Sequence, residues 1–343
     1  MQFKKLETER LLLRKLKKVD FEAVHSYAGC AENLIYVQWG PNTEEETHAF
    51  IQSALTLADE NPITNYQFAV VLKEADKLIG GCNLYLLSEK EAEIGWLIHR
   101  NHWSKGYGTE IGGALLKFGF KDLDLHRINA HCDAENNASS RVMEKIGMRR
   151  EGLFFEVRPA HKKSDKPYGD ELCYAILKSD WEIRKEIEYY NSLPCEFNGF
   201  IDVPALSDNE IYLVCTKKAS GNAEEKLVPW YEFAICKGGE KIGGVNLRIG
   251  YTDGLYYGGQ IGYNVDEAYR GKGYAAEACR LIVPVAKAHK MEKLLITNNI
   301  TNTASRRVCE KLGAKLLRVV RLPEWTDLYI EGQRYENIFE MVI

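Results

Sequence analysis

Two glycine-containing turns carry the residue types that bind phosphate. One consists of Trp103, Ser104, Lys105, Gly106, Tyr107, Gly108 and Thr109, and the other of Arg270, Gly271, Lys272, Gly273, Tyr274 and Ala275. Each turn follows a predicted strand and opens a predicted helix, so the first N–H groups of that helix and its positive dipole end face the turn. Such a turn is either a phosphate site or only a tight connection. Its occurrence twice, with Lys and Tyr retained, favours phosphate binding.

Neither turn matches the common nucleotide-binding motifs. A dinucleotide fingerprint needs the third glycine of GxGxxG, and a P-loop needs GxxxxGK followed by Ser or Thr. Both turns lack these residues. A nucleotide-binding protein, which would take ATP or NAD in preference to other ligands, is therefore the weaker interpretation.

The two turns belong to a long internal repeat. Similar blocks recur in the same order at shifts of 163 to 167 positions. The paired blocks are 68–70 and 233–235, 79–84 and 242–247, 93–96 and 260–263, 105–107 and 272–274, 136–139 and 302–305, and 144–147 and 310–313. A period this long exceeds that of solenoid repeats and indicates two copies of one domain. We expect domains at 1–182 and 197–343 with a linker at 183–196, unless that charged amphipathic segment is another helix of one large domain.

Length and composition fit two globular domains and exclude several classes of protein. The chain has 343 residues, of which 45% are apolar and 27% charged, as in ordinary globular domains. The net charge of −4 lacks the basic excess typical of nucleic-acid binding. No apolar stretch approaches the ~20 residues of a membrane span, and the N-terminal residues lack the apolar region of a secretory signal. We expect a cytoplasmic protein that binds neither nucleic acid nor membrane.

Cysteine and histidine spacing offers no metal or redox motif. No two of the nine cysteines lie closer than twenty positions, which excludes CxxC motifs and favours reduced thiols. His99 and His102 have no carboxylate or cysteine at ligand spacing, so no metal site is expected. His131 and Cys132 are neighbours in a predicted strand and face opposite sides, which disfavours a Cys–His nucleophile pair.

Strands and helices alternate around the turns. In the first copy, strands are predicted over 67–72, 78–87, 91–98 and 128–132. Apolar residues spaced i, i+3, i+4 and i+7 from Ile111 define one face of a helix after the turn. Asn136 stands where the N-cap of the next helix belongs, and Gly147 where that helix ends. The second copy repeats this order, with Pro284 expected to kink its first helix. Each copy is therefore a mixed α/β domain.

These motifs resemble the GNAT superfamily of acyl-CoA N-acyltransferases. The family signature, Arg/Gln-x-x-Gly-x-Gly/Ala after the fourth strand, is matched in full by Arg270, Gly273 and Ala275. The first copy departs from it, because Trp103 stands where Arg or Gln is expected. The resemblance covers nearly all of the first copy and residues 230–320 of the second.

The first copy is also similar to one branch of that superfamily. Trp103, the block at 136–147 and the opening at 8–14 resemble the RimJ/RimL branch, which acetylates the N-termini of ribosomal proteins. That branch also contains enzymes that act on small amines. The resemblance therefore leaves the substrate open between a protein N-terminus and a small-molecule amine.

The resemblance implies an α+β fold in which each copy is a twisted, mostly antiparallel sheet flanked by helices. The fourth and fifth strands would splay apart and admit acetyl-CoA, with the pantetheine arm imitating an added strand. The implied cofactor-binding residues are Leu97, Ile98, Trp103, Ser104, Lys105, Gly106, Tyr107, Gly108, Thr109 and Asn136 in the first copy, and Asn264, Val265, Arg270, Gly271, Lys272, Gly273, Tyr274, Ala275 and Asn302 in the second. Asn136 and Asn302 either hydrogen-bond the cofactor or serve only as helix N-caps.

The proposed chemistry needs a group that takes a proton from the amine. Freeing the lone pair of an alkylamine at pH 7 costs about 4.6 kcal/mol, which a nearby carboxylate would ease. The resemblance points to Glu93, which lies in the predicted strand at 91–98, the counterpart of the family's fourth strand. Glu93 is equally interpretable as a solvated strand residue. The second copy has Gln260 at that position, and the tyrosine acid of many relatives is replaced by Met143 and Cys309. We therefore favour the first copy as catalytic.

The sequence thus predicts a tandem N-acetyltransferase that transfers acetyl from acetyl-CoA to a primary amine by direct attack in a ternary complex. The alternative is a CoA-binding sensor or scaffold in which one or both domains are non-catalytic. The aromatic cluster at 251–257 either lines an acceptor pocket or, as is more common, forms the surface of a strand and turn. A homodimer is left open.

Overall fold

Alternating apolar residues form an eight-stranded sheet in the first half of the chain. Its strands are β1 (Leu6–Glu7), β2 (Leu11–Lys15), β3 (Asn65–Leu72), β4 (Lys77–Leu86), β5 (Glu91–Ile98), β6 (Arg127–Asp133), β7 (Arg149–Pro159) and β8 (Tyr168–Leu177). Their order across the sheet is β1-β2-β3-β4-β5-β6-β8-β7. Only β5 and β6 run parallel, and they pair at three positions, from Glu91 with Arg127 to Glu93 with Asn129. Beyond Glu93 the two strands diverge.

Four helices cover the two faces of this sheet, and a fifth follows it. They are α1 (Phe21–Ala28), α2 (Glu44–Leu57), α3 (Tyr107–Lys117), α4 (Asn137–Lys145) and α5 (Lys178–Asn191). Residues of α1 and α2 form one core with strand residues such as Ala69 and Val71. Residues of α3 and α4 form the larger core, which includes Phe68, Ile94 and Ile128. Since neighbouring strand residues point to opposite faces, the sheet separates the two cores.

The computed structural model describes residues 3–203, 205–222, 224 and 227–343. It divides into two compact units, Met1–Arg184 and Lys185–Ile343. The division falls within α5, which occupies part of the segment that the sequence assigns to a linker.

The second unit contains two sheets. The first consists of β9 (Leu206–Ser207), β10 (Tyr212–Ala219), β11 (Trp230–Lys237), β12 (Glu240–Arg248) and β13 (Ile261–Val265), and the second of β14 (Lys293–Asn299), β15 (Lys315–Arg321) and β16 (Tyr335–Val342). The helices are α6 (Asp253–Gly258), α7 (Tyr274–Leu281), α8 (Val283–Ala288), α9 (Thr303–Lys311) and α10 (Asp327–Ile330). The counterparts of β5 and β6, which are β13 and β14, therefore lie in different sheets.

Within its described residues, the second unit has no counterparts of α1 and α2. In the first unit, residues 16–64 connect β2 to β3 and contain both helices, whereas residues 220–229 connect β10 to β11. The described part of that shorter connection contains no helix. The sheet face that α1 and α2 cover in the first unit consequently has no equivalent cover from this connection.

Two expectations about the second unit had different outcomes. The expected effect of Pro284 is confirmed, because α7 ends at Leu281 and a separate helix, α8, starts at Val283. The strand-and-turn interpretation of the aromatic cluster at 251–257 is wrong, because residues 253–258 form α6. Tyr256 and Tyr257 are buried there, so burial of aromatic surface stabilises a helix too short to show a clear periodicity.

In the described ranges, no helix combines the length and apolar character needed to cross a bilayer. All nine cysteines are free thiols. The described residues hold no group of three or more His, Cys, Asp or Glu side chains placed to bind a metal ion.

Candidate active site

The two glycine turns share one backbone geometry. Gly106 and Gly273 have φ values of 81° and 94° and are the N-caps of α3 and α7. Two residues earlier, Ser104 and Gly271 are also left-handed, with φ values of 60° and 79°. Left-handed backbone is strained for serine and unstrained for glycine. In each unit this geometry brings the turn to the N-terminus of a helix, where free N–H groups attract anions.

The signature position before each turn is explained by a hydrogen bond. Trp103 Nε1 donates to the carbonyl oxygen of Ile98 at 2.7 Å, and Arg270 Nε donates to the carbonyl oxygen of Val265 at 2.9 Å. In both units a side-chain N–H thus ties the turn to the last residue of the splayed strand. The departure of Trp103 from the family pattern therefore preserves an N–H donor.

Sequence reasoning missed Arg10, which supports the turn of the first unit. Its Nη1 donates to the carbonyl oxygen of Lys105 at 3.0 Å, and its guanidinium lies 4.5 Å from the centre of the Tyr107 ring. Arg10 Nε also donates to Glu110 Oε2 at 2.8 Å. Burial alone would raise the pKa of Glu110, but hydrogen bonds from Thr8 and Arg10 lower it. The signal for Arg10 in the sequence is the opening at 8–14, which resembles the family but does not show the contact with the turn.

A different cation occupies the equivalent place in the second unit. The Lys237 ammonium lies 4.6 Å from the centre of the Tyr274 ring and hydrogen-bonds the Tyr274 hydroxyl. Hydrogen bonds with Glu210 and Tyr274 raise the pKa of Lys237, so the lysine stays positively charged. Burial raises the pKa of several tyrosines in this unit. Both turns therefore contain a tyrosine beside a fixed positive charge.

Asn136 and Asn302 are helix N-caps. Asn136 Oδ1 accepts from the Ser139 N–H at 3.1 Å, and Asn302 Oδ1 accepts from the Ser305 N–H at 3.0 Å. The structure thus shows the N-cap role for both residues, while a contact with the cofactor stays a prediction. An N-cap of this kind satisfies one of the free N–H groups at the start of the helix.

Leu97 and Ile98 lie at the open end of the splay in the first unit. They pair with Gly81 and Gly80 of β4 on one side, while β6 pairs with β5 only as far as Glu93. Asn264 and Val265 have the same one-sided pairing with β12 in the second unit. A strand with one unpaired edge can accept an extended ligand along it.

Glu93 lies at the apex of the splay. It pairs in register with Tyr85 of β4 and with Asn129 of β6, the last pair before the strands separate. Its carboxylate is partly buried and forms no hydrogen bond or ion pair with the described residues. By strand alternation, Glu93 shares a face of β5 with Gly95 and Leu97. Its carboxylate is therefore available at the point where the sheet opens.

A cavity of about 410 Å³ opens on the same face of the first unit. Its lining consists mainly of aromatic side chains and neutral amides: Leu16, Val24, Tyr27, Ala28, Trp39, Asn42, Phe50, Gln67, Phe68, Gly81, Cys82, Asn83, Trp96 and Leu97. Gln67, Asn83 and Gly95 are consecutive partners across β3, β4 and β5. The residue of β5 that follows on the same face is Glu93, so the cavity ends next to the pair that contains Glu93.

Sequence reasoning also missed the surroundings of His131. Its Nε2 lies 3.9 Å from Cys173 Sγ, and its Nδ1 lies 3.5 Å from Glu171 Oε1. Burial, followed by the nearby carboxylates of Glu151 and Glu171, raises the pKa of Cys173 and keeps it a thiol. Cys132 is buried on the opposite face, as expected. The strand register, which pairs His131 with Cys173, is the signal that single-strand reasoning lacks.

In the second unit, the residue that corresponds to Glu93 is Gln260, and it has a structural role. Gln260 is fully buried, its Oε1 accepts from the Leu295 N–H at 2.5 Å, and its Nε2 donates to the carbonyl oxygen of Gly250 at 3.2 Å. The amide therefore joins the two sheets at their apex. A Cβ added at Gly259 would lie 3.1 Å from the Leu295 carbonyl oxygen, so the end of α6 is packed directly against β14.

Comparison with known proteins agrees with this arrangement. The acetyltransferase (GNAT) domain family matches residues 10–149 and 170–315. The chain therefore belongs to the GNAT acetyltransferase family and contains two domains of it. Members of this family are acyltransferases that use acetyl-CoA, and the enzyme class of this chain follows from its membership.

Individual relatives each correspond to about half of the chain. Uncharacterized N-acetyltransferase YnaD of Bacillus subtilis (strain 168) is 39% identical over 178 residues, which cover 51% of this chain and 98% of that protein. Uncharacterized N-acetyltransferase p20 of Bacillus licheniformis is 30% identical over 179 residues, covering 51% and 97%. The crystal structure of a GNAT-family acetyltransferase from Bacillus anthracis is 40% identical, covers 51% of this chain and 99% of its own, and superimposes with a TM-score of 0.45.

Proposed function

We propose that the first unit transfers acetyl from acetyl-CoA to a primary amine by direct attack within a ternary complex. The observation that carries this proposal is the position of Glu93 at the apex of the β5–β6 splay, where its carboxylate forms no hydrogen bond or ion pair with the described residues. The open edge of β5 begins beyond this carboxylate, and the 410 Å³ cavity, which includes Leu97 of that edge, lies next to it. The two substrates are proposed to meet at the apex.

The turn and the open strand edge of the first unit suit CoA. The left-handed turn brings the N–H groups of α3 and the charge of Lys105 to one place, as a pyrophosphate requires. The proposed binding residues are Leu97, Ile98, Trp103, Ser104, Lys105, Gly106, Tyr107, Gly108, Thr109 and Asn136. Acetyl-CoA supplies an activated acyl group whose thiol, with a pKa near 8.5, leaves as thiolate without a strong acid. The replacement of the family's tyrosine by Met143, which is fully buried, is therefore compatible with activity.

Glu93 is proposed to take the amine proton, directly or through one water. As the C–N bond forms, the C–S bond breaks, and the proton passes from nitrogen to the carboxylate. A backbone N–H of β5 beyond the apex would stabilise the negative charge that develops on the acyl oxygen. His131 lies on the same face, but its ring nitrogens contact Glu171 and Cys173 of β8. Its contribution to proton removal is therefore proposed to be smaller.

We further propose that the second unit binds CoA but does not catalyse acetyl transfer. It retains a left-handed turn and an open edge, with Asn264, Val265, Arg270, Gly271, Lys272, Gly273, Tyr274, Ala275 and Asn302 as the candidate binding residues. However, Gln260 cannot accept a proton at neutral pH, and its amide is engaged in backbone hydrogen bonds. The described residues of the 220–229 connection form no counterpart of the helices that wall the cavity of the first unit. The sensor or scaffold alternative therefore applies to this unit.

The test is the release of free CoA thiol from acetyl-CoA in the presence of amines. We expect amine-dependent release by the wild-type chain and a loss of about 10²-fold or more in kcat for Glu93→Gln. Glu89→Gln is the matched control, since this exposed residue precedes the same strand. Thiol release that does not depend on amine, or equal rates for Glu93→Gln and wild type, would contradict the proposal.

A further inference from the structure

The cavity of the first unit identifies the class of acceptor. Resting on the function proposed above, we propose that the acceptor is a small arylalkylamine, in which a short alkyl chain joins one primary amine to an uncharged aromatic body. The aromatic body would occupy the 410 Å³ cavity, and the amine would reach Glu93 at the apex. The volume lies within the range of small-molecule sites.

The lining of the cavity carries no formal charge. Within the described part of the chain, no Asp, Glu, Lys, Arg or His side chain lines it. A second ammonium group, as in a polyamine, would lose its hydration there without gaining a carboxylate partner. The cavity therefore selects against polycations and in favour of a neutral body.

Two aromatic side chains at the cavity are exposed to solvent. Trp39 is 46% exposed and Phe50 is 37% exposed, and both contribute to the lining. Lys162 Nζ donates to the carbonyl oxygens of Trp39 and Gly40 at 2.7 and 2.8 Å, which fixes the segment that carries Trp39. A flat apolar ligand would cover these surfaces and gain stacking contacts with them.

The polar groups of the cavity are neutral and have free hydrogen-bonding capacity. Gln67 Nε2 donates to Asn65 Oδ1 at 2.8 Å, which leaves the Gln67 oxygen free. The side-chain amides of Asn42 and Asn83 form no hydrogen bond with the described residues, and both line the cavity. Such groups fit one or two hydroxyl or N–H substituents on the aromatic body.

The sheet geometry limits the length of the acceptor. Asn83 of the cavity lining pairs with Gly95, and the next residue on the same face of β5 is Glu93. Residues i and i+2 of a strand are about 6.6 Å apart. A short alkyl chain spans that distance from a ring in the cavity to an amine beside the carboxylate.

A second, smaller cavity has an acidic lining and would suit the competing class of acceptor, the polyamines. It has a volume of about 210 Å³, and its lining includes the acidic residues Asp133, Glu135, Glu156 and Asp170 together with Lys166. Asp133 Oδ2 is buried and has no hydrogen-bond partner among the described residues, so this cavity retains a carboxylate oxygen that suits an ammonium group. Its lining includes no residue of β5, however, whereas the 410 Å³ cavity includes Trp96 and Leu97 of that strand. We therefore expect polyamines to be poorer acceptors than arylalkylamines, and preferential acetylation of a polyamine would overturn the proposal.

The experiment compares amines of three acceptor classes with the full chain. Initial rates of CoA thiol release are measured with tryptamine, phenethylamine, spermidine and a short peptide with an N-terminal alanine. We expect kcat/KM for the two arylalkylamines to exceed that for spermidine and for the peptide by about tenfold or more. A preference for spermidine or for the peptide, with amine-dependent turnover intact, overturns this inference and leaves the proposed function standing.

Variants separate the cavity from general effects on folding. Trp39→Ala and Phe50→Ala should each lower kcat/KM for tryptamine about tenfold while KM for acetyl-CoA is unchanged. Phe154→Ala is the matched control, because Phe154 is 49% exposed and lines neither cavity. Asn83→Asp should shift the preference towards spermidine, since it adds a carboxylate to the cavity. Equal effects of Phe154→Ala and Trp39→Ala would contradict the assignment.

A binding measurement keeps the inference testable without turnover. Calorimetric titration of tryptamine and spermidine is carried out with the chain saturated with CoA. Tighter binding of tryptamine that weakens in Trp39→Ala supports the inference even when no amine is acetylated, and that result would contradict only the proposed function. Tighter binding of spermidine overturns the inference.

Discussion

At the scale of single residues, a hydrogen bond explains why tryptophan replaces the expected arginine. Trp103 and Arg270 both donate a side-chain N–H to the last carbonyl of the splayed strand. We expect Trp103→Phe to raise KM for acetyl-CoA about threefold to tenfold, because the turn loses this link while ring packing is retained. Trp103→Arg should restore KM towards the wild-type value, since arginine carries out the same role in the second unit. Similar KM values for Trp103→Phe and wild type would contradict this account.

Glu93 and His131 offer two proton acceptors on one face, and their geometry ranks them. Glu93 has no partner among the described residues, whereas His131 is directed towards Glu171 and Cys173. We expect His131→Gln to lower kcat by about tenfold or less, a smaller loss than that of Glu93→Gln. Steady-state kinetics measure the ranking, and Cys173→Ser serves as the control because its thiol stays protonated. A larger loss in His131→Gln, restored by added imidazole, would assign the base to the histidine.

Glu336 in the second unit couples stability to pH. It is 4% exposed, its Oε2 has no hydrogen-bond partner in the described part of the chain, and burial raises its pKa to about 7. The folded chain holds this proton more tightly than the unfolded chain, whose carboxyl loses it near its ordinary pKa of 4.5. The stabilisation is therefore complete below pH 4.5 and is lost as the pH rises through 7.

We therefore expect Glu336→Gln to unfold at higher urea concentration than wild type at pH 8, with a gain of about 1–3 kcal/mol. At pH 5 the difference should be small, because the wild-type carboxyl is then protonated in the folded chain. Glu331→Gln, which changes an exposed residue, is the control. An equal difference at both pH values would show that Glu336 does not titrate in this range.

At the scale of elements, sequence patterns predicted what depends on local backbone and alternation. The predicted strand at 91–98 coincides with β5, and the helix after Asn136 ends where Gly147 takes a left-handed φ of 91°. The family resemblance also located the splay. These features depend on periods of two or 3.6 residues and on glycine, which a single segment reveals.

Features made by contacts between distant segments were not predictable in this way. The 410 Å³ cavity combines Trp39 and Phe50 with strand residues such as Gln67 and Asn83, and no local pattern joins them. The support of the turn by Arg10 depends on Glu110, a hundred positions later. The burial of Tyr256 in α6 likewise depends on Glu186, whose carboxylate accepts from its hydroxyl at 2.7 Å.

At the scale of the whole molecule, the two glycine turns share one geometry, so we predict two CoA sites per chain. Because only the first unit has a carboxylate at the apex, we predict one active centre. Calorimetry should give two CoA molecules per wild-type chain and one per Gly273→Ala chain, because alanine is strained at a φ of 94°. Gly273→Ala should retain kcat, whereas Gly106→Ala should lose most of it. Loss of turnover in Gly273→Ala with one CoA still bound would show that the second unit takes part in catalysis.

The short 220–229 connection also restricts how the second domain can change. Exchanging Gln260 for a carboxylate would place an unpaired charge where an amide now joins two sheets, and the missing helices would still leave an amine nowhere to bind. Under the function proposed above, a second amine site would thus require an insertion on the scale of residues 16–64 together with removal of the packed α6. Single replacements do not supply that insertion, so we expect point mutation alone to leave the second domain without amine-dependent turnover.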